Sequence, residues 1–198
     1  MERQLIISVG REFGSGGHEI AEELARRFDI PLYDSNLLEC IAQERKLDGK
    51  LLGKYDEKPK NRLLYRKVKG FSNSPQENVA NLQFQYLKKM AEEGKSFVIV
   101  GRCAETKLKE FPALVSVFIL GRTETKIQRI VEKYHVLPAG AAQMMKREDA
   151  SRKSYHNYHC QEKWGDSRTY DLTVNSSYLG VLGTADVIES YIRKRMEA

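Results

Sequence analysis

The 198-residue chain has no run approaching the roughly 18 unbroken apolar residues that a membrane-spanning helix requires. Its three cysteines, Cys40, Cys103 and Cys160, are odd in number and far apart, which excludes a disulfide framework, and their spacing matches no paired metal-ligand motif. No internal repeat or low-complexity tract is present, and Glu2 and Arg3 ahead of a short apolar stretch are unlike a secretion signal. These absences point to a soluble, cytoplasmic protein with reduced thiols. What remains, 41% hydrophobic and 30% charged residues, suffices for one well-buried core, so a single domain spanning 1–198 with insertions is expected. The formal charge of +6 and pI near 9.1 favour acidic partners, a phosphate-bearing small molecule as readily as a nucleic acid.

A further absence is local. An apolar strand, Leu5-Ile6-Ile7-Ser8-Val9, leads into Gly10-Arg11-Glu12-Phe13-Gly14-Ser15-Gly16-Gly17-His18 and then into a helix whose Ile20, Ala21, Leu24, Ala25 and Phe28 share one face. Small residues between a strand and a helix let successive N–H groups converge, and the helix adds its unpaired first-turn amides and the positive end of its dipole. Gly14, Ser15, Gly16, Gly17 and His18 are therefore expected to bind phosphate. The usual pattern G-x-x-x-x-G-K-[ST] supplies a lysine for the outer phosphates and a hydroxyl for magnesium. Here Gly17 stands at the lysine position and His18 follows, so another cation must reach in, with Arg11 and His18 the nearest.

Short apolar runs alternate with helical patterns along the chain, the signature of βαβ units and a parallel sheet covered on both faces. Strands are expected at 5–9, near 31–33, and at 96–100, 114–120 and 172–175. Helices are expected after Asp34-Ser35, around Ile127 to Tyr134, around Val187 to Ile192, and from Ser74-Pro75-Gln76-Glu77, where serine caps, proline takes the first position and glutamate completes a capping box. Two charged stretches interrupt this alternation. Residues 49–73 carry Lys50, Lys54, Lys58, Lys60, Arg62, Arg66, Lys67 and Lys69; no recognition motif accompanies them, so nucleic acid is not an expected partner. Residues 146–168 combine Arg147 and Arg152 with Tyr155, Tyr158 and Trp164.

Taken together, the loop 11–17, Pro31-Leu32-Tyr33-Asp34, Val98-Ile99-Val100-Gly101-Arg102-Cys103-Ala104, Arg152 with Tyr155, Trp164-Gly165-Asp166 and Tyr170-Asp171-Leu172 resemble the nucleoside monophosphate kinases, most closely the cytidylate kinase-like family. The resemblance implies a three-layer α/β/α fold with a five-stranded parallel sheet, a flap (49–73) over the monophosphate and a lid (146–168) over the triphosphate. It also implies transfer of the ATP γ-phosphate to a nucleotide such as CMP or dCMP. Cytidylate kinases carry aspartate after the Gly-Arg pair, where this chain has Cys103.

Phosphoryl transfer mainly requires two anions to be positioned and their crowded oxygens neutralised, so amides, arginines and magnesium are the expected tools. Arg11, Arg147 and Arg152 are the expected catalytic cations, the latter two able to grip phosphate bidentately. Asp34 and Arg102, the second at the end of strand 96–100, are expected on the acceptor side. His156, His159 and Cys160 crowd together like metal ligands, but no second cluster follows in sequence to complete a tetrahedral set. ATP with its Mg²⁺ is thus the expected cofactor, without a resident metal. The competing reading is a catalytically deficient nucleotide-binding sensor or scaffold.

Overall fold

The computed structural model describes residues 3–46, 53–56, 67–68, 71–72 and 74–197. Most of the segment expected to form a flap, 49–73, lies outside the described residues. Strand β1 (Ile6–Arg11) is followed by helix α1 (Gly17–Phe28), β2 (Leu32–Tyr33), α2 (Leu37–Arg45), a two-stranded antiparallel pair β3 (Lys67–Val68) and β4 (Phe71–Ser72), and α3 (Pro75–Glu92). Next come β5 (Phe97–Val100), α4 (Ala104–Lys107), β6 (Leu114–Leu120), α5 (Thr123–Tyr134), α6 (Pro138–His159), a 3₁₀ turn Ser167–Thr169, β7 (Leu172–Asn175) and α7 (Ser176–Glu197), the last broken at Gly180.

Five strands form one all-parallel sheet in the order β2-β5-β1-β6-β7, as the alternation of runs implied. Alternation of side chains along each strand divides the core into two layers. Ile7, Val9, Val98, Val100, Val117 and Ile119 pack with Ile20 and Leu24 of α1 and Ile188 and Ile192 of α7. Ile6, Phe97, Ile99 and Leu114 face the other way, against Leu37 and Ile41 of α2 and Leu87 and Met90 of α3. Among the described residues, no helix is long and apolar enough to cross a membrane.

At α3, Ser74 Oγ accepts from Glu77 N and Pro75 opens the helix, while the Glu77 carboxylate accepts from Tyr158 Oη on α6. The stretch 146–168, expected to form a lid, begins inside α6, which runs unbroken to His159. Its apolar face is thin, Ala141, Met145 and Tyr155 being buried, so periodicity conceals it. Yet 141–159 contains neither glycine nor proline and is rich in strong helix formers.

Candidate functional site: a lysine-less phosphate loop

The C-terminal ends of the parallel strands place three turns along one edge, where open α/β sheets bind ligands. Gly14 and Gly16 have φ of 80° and 77°, a region that a side chain would strain. Cross-links from distant segments hold the turn. Glu12 accepts from Lys126 Nζ at 2.8 Å and from Gly121 N at 3.1 Å; Phe13 N donates to Asp149 Oδ1 at 2.7 Å. Arg129 Nη1 donates to Ser15 O at 2.7 Å, and Ser176 Oγ donates to the same carbonyl. With these carbonyls and carboxylates taken up inside, the first-turn amides at the start of α1 are left to meet a ligand.

Gly17 has a different reason. A Cβ there would lie 2.5 Å from Arg11 Cβ and 3.1 Å from Arg11 Cγ. Arg11 therefore occupies the space into which a side chain at the lysine position would project. The loop walls a cavity of about 610 Å³, lined also by Arg11, His18, Arg129, Lys133 and Arg152, with Glu12, Glu19 and Glu132.

Sequence reasoning missed Lys126, Arg129 and Lys133. Their spacing of three and four residues puts all three along one side of α5, a signal readable in the sequence as a basic stripe beside the apolar one. Asp149, also missed, is pushed up from the ordinary carboxylate value by burial, against the hydrogen bond from Phe13 N and the charge of Lys126.

On α6, Met145, Asp149, Arg152 and His156 share one face, and Arg152 reaches the loop: Nη1 donates to Arg11 O at 3.4 Å and the guanidinium lies 5.5 Å from the Phe13 ring centroid. Arg147 stands apart from the cavity. Five residues on a helix amount to a rotation of about 140°, so it projects outward, 71% exposed and bonded to Glu148 at 2.9 Å.

The residues expected on the acceptor side lie on both flanks of the loop. His18, 37% exposed, sits 3.6 Å from Asp34 Oδ2. The other Asp34 oxygen, Oδ1, accepts from Asn36 N at 2.9 Å, closing the turn that starts α2. After β5 the backbone takes φ of 76°, 56° and 56° at Gly101, Arg102 and Cys103. This turn folds Arg102 inward to 3% exposure, donating to Val100 O at 2.8 Å and to Asp56 Oδ2 at 2.5 Å. A narrow cleft lined by Gly10, Arg11, Arg102, Arg152, Tyr155 and Tyr170 connects this turn to the loop.

The model of the cytidylate kinase-like family matches residues 6–178. Among solved structures, an uncharacterized protein from Eubacterium ventriosum ATCC 27560 is 40% identical over 96% of this chain and 99% of that one, with a TM-score of 0.77. Shikimate kinase from Bacteroides thetaiotaomicron is 11% identical over 96% of this chain and 98% of its own, with a TM-score of 0.56. Shikimate kinase from Acinetobacter baumannii, in complex with shikimate, is 13% identical over 98% and 95%, with a TM-score of 0.53. At such identity these two share the fold alone. No curated protein matches the sequence.

Proposed function

This chain belongs to the cytidylate kinase-like family, and on that premise we propose that it is a cytoplasmic nucleotide kinase that moves the γ-phosphoryl group of ATP to a nucleoside monophosphate of the CMP or dCMP kind. The observation that carries the reading is the exchange of Gly17 for Arg11: the position that would hold lysine is bare, and an arginine fills its space at the cavity wall. A guanidinium is always charged and offers a planar fork of donors, so it serves the outer phosphates as lysine does, with a bidentate grip added.

In the reaction an oxygen of the acceptor phosphate attacks the γ-phosphorus, the bond from γ-phosphorus to the βγ-bridging oxygen breaks, and ADP leaves with that oxygen. The amides of Gly14 to His18 cradle the β-phosphate. Arg11 and Arg152, linked through the Arg11 carbonyl, lie on either side of the transferring group and neutralise its equatorial oxygens. Arg147, turned outward, assists only if α6 rotates. On the acceptor side, Arg102 takes the monophosphate in exchange for the Asp56 carboxylate, and Asp34, beside His18, accepts from the acceptor's hydroxyls.

Magnesium takes hard oxygen donors and keeps several waters; Glu12 and Glu19 on the cavity wall, now paired with Lys126 and Lys133, are the carboxylates that would hold it. Bound there with the nucleotide, it would supply positive charge against the phosphate oxygens. A coupled ADP-release assay across CMP, dCMP, UMP and AMP tests the proposal. Turnover above the ATPase background with CMP or dCMP is expected; ATP binding without turnover on any acceptor would instead favour the sensor.

A further inference from the structure

Beyond the phosphate cavity, one cluster of ligating side chains plays no part in phosphoryl transfer as described above. It joins the turn after β5 to the end of α6. Glu105 Oε1 lies 2.7 Å from His156 Nε2, with the two side chains 3% and 5% exposed. One ligand atom from each of Glu105, His156 and Cys160 lies within 4.8 Å of the other two. Cys103 is buried in a cluster against which Cys160 packs, so two thiols, an imidazole and a carboxylate converge from two separate segments. The sequence shows only half of this, because Cys103 and Glu105 stand more than 50 residues before His156.

The donor set suits one class of ion. Mixed sulfur, nitrogen and carboxylate ligation in four positions is the chemistry of zinc, and four protein ligands leave no open position, as in structural sites. Zinc bonds of about 2.0–2.3 Å set tetrahedral ligand atoms roughly 3.3–3.8 Å apart, so the ligand atoms of Glu105, His156 and Cys160 need to close by about 1 Å at their widest. At the Glu105 to His156 contact a proton stands where the metal would enter, and metal binding releases such protons. The remaining imidazole nitrogen, Nδ1, lies 3.4 Å from Asn157 Oδ1, an outer oxygen of the kind that turns a ligating histidine the right way. The scaffold is braced as well: Cys160 N donates to His156 O at 2.8 Å and Lys107 Nζ to His159 O at 2.7 Å. His159 itself meets the rings of Phe84 and Tyr158 edge-on and that of Tyr155 at a tilt, and stays outside the cluster.

We propose that Cys103, Glu105, His156 and Cys160 form a structural zinc site that ties the end of α6 to the turn after β5. One turn before His156 sits Arg152, so the ion would anchor the helix that carries this arginine to the phosphate loop.

The full chain, reduced and stripped with a chelator, is titrated with Co²⁺ and then Zn²⁺. One equivalent of Co²⁺ should produce thiolate-to-cobalt charge-transfer absorption and the intense ligand-field bands of tetrahedral geometry, and Zn²⁺ should bleach both. His156→Ala should weaken Co²⁺ binding by more than about tenfold, and Cys103→Ser/Cys160→Ser should abolish the charge-transfer band. Cobalt uptake by the unaltered chain without that band overturns the site, whatever the variants do; so does a band that survives the double substitution. Neither readout needs turnover, so the site stands or falls separately from the kinase.

Discussion

Two turns leave neighbouring strands at the same edge of the sheet and are built in opposite ways. After β1, positive φ falls on Gly14 and Gly16, and side chains are absent where a ligand would touch backbone. After β5, positive φ falls on Gly101 and then on Arg102 and Cys103, although a left-handed conformation costs a residue with a Cβ about 1–2 kcal/mol. The first turn presents amides, so side chains would obstruct it. The second presents a guanidinium and a thiol, so the side chains stay and the backbone bears the strain. On the proposed function, glycine marks recognition by main chain, and strained non-glycine residues mark recognition by side chain.

The largest expected effect comes from breaking the second turn. Arg102→Ala strips the Asp56 carboxylate of its buried guanidinium and should lower stability by about 3–5 kcal/mol in urea denaturation, with Arg102→Ala/Asp56→Asn recovering part of the loss. In the first turn, Gly17→Lys should not restore an ordinary phosphate loop. Its Cβ meets Arg11 Cβ at 2.5 Å, and such overpacking costs about 1–3 kcal/mol. Arg11→Gly/Gly17→Lys should regain both melting temperature and ATP affinity; if Gly17→Lys alone binds ATP more tightly with unchanged melting, Arg11 does not fill the lysine's place.

A comparison along α6 sharpens the role of the first turn. Arg152→Ala should reduce kcat/KM by about 10- to 150-fold, the loss of one charge-assisted hydrogen bond of about 1.5–3 kcal/mol. Arg147→Ala removes an exposed ion pair and should change it less than about twofold. Equal losses at both positions would mean that the helix turns during the reaction. Smallest is the control for backbone strain. His135, exposed at the end of α5 with φ of 54°, should gain about 1 kcal/mol on substitution by glycine. Cys103→Gly, at a similar φ but losing a buried thiol, should gain nothing. A matching rise in its melting temperature would show that the Cys103 side chain contributes nothing to the turn.

Much of the fold was legible because its signals are local. Strands β1, β5 and β6 are buried on both faces and read as continuous apolar runs, and Ser74-Pro75 marks the start of α3 through capping chemistry confined to four residues. Helix α6 was obscured because only a few of its side chains are buried, which leaves periodicity too little to register. Of the site, the glycines of the phosphate loop stood out, whereas Arg129, reaching Ser15 from α5, and Asp56, reaching Arg102, did not. Nothing in the local sequence distinguishes a cation that crosses to another element from one that faces water.

By itself the chain's order of residues determined the alternation of strand and helix, the parallel sheet and the place where backbone amides gather, because these follow from hydrophobic period, caps and the conformational freedom of glycine within a few positions. Only the tertiary structure decided that Arg11 excludes a side chain at 17, that Arg152 rather than Arg147 meets the loop, and that Cys103 and Glu105 join His156 and Cys160. The Arg11 exclusion depends on a backbone turn bringing two side chains into one volume. The other encounters join segments far apart in sequence, brought together by burial of the two apolar layers, and no local pattern encodes which side chains such burial will set side by side.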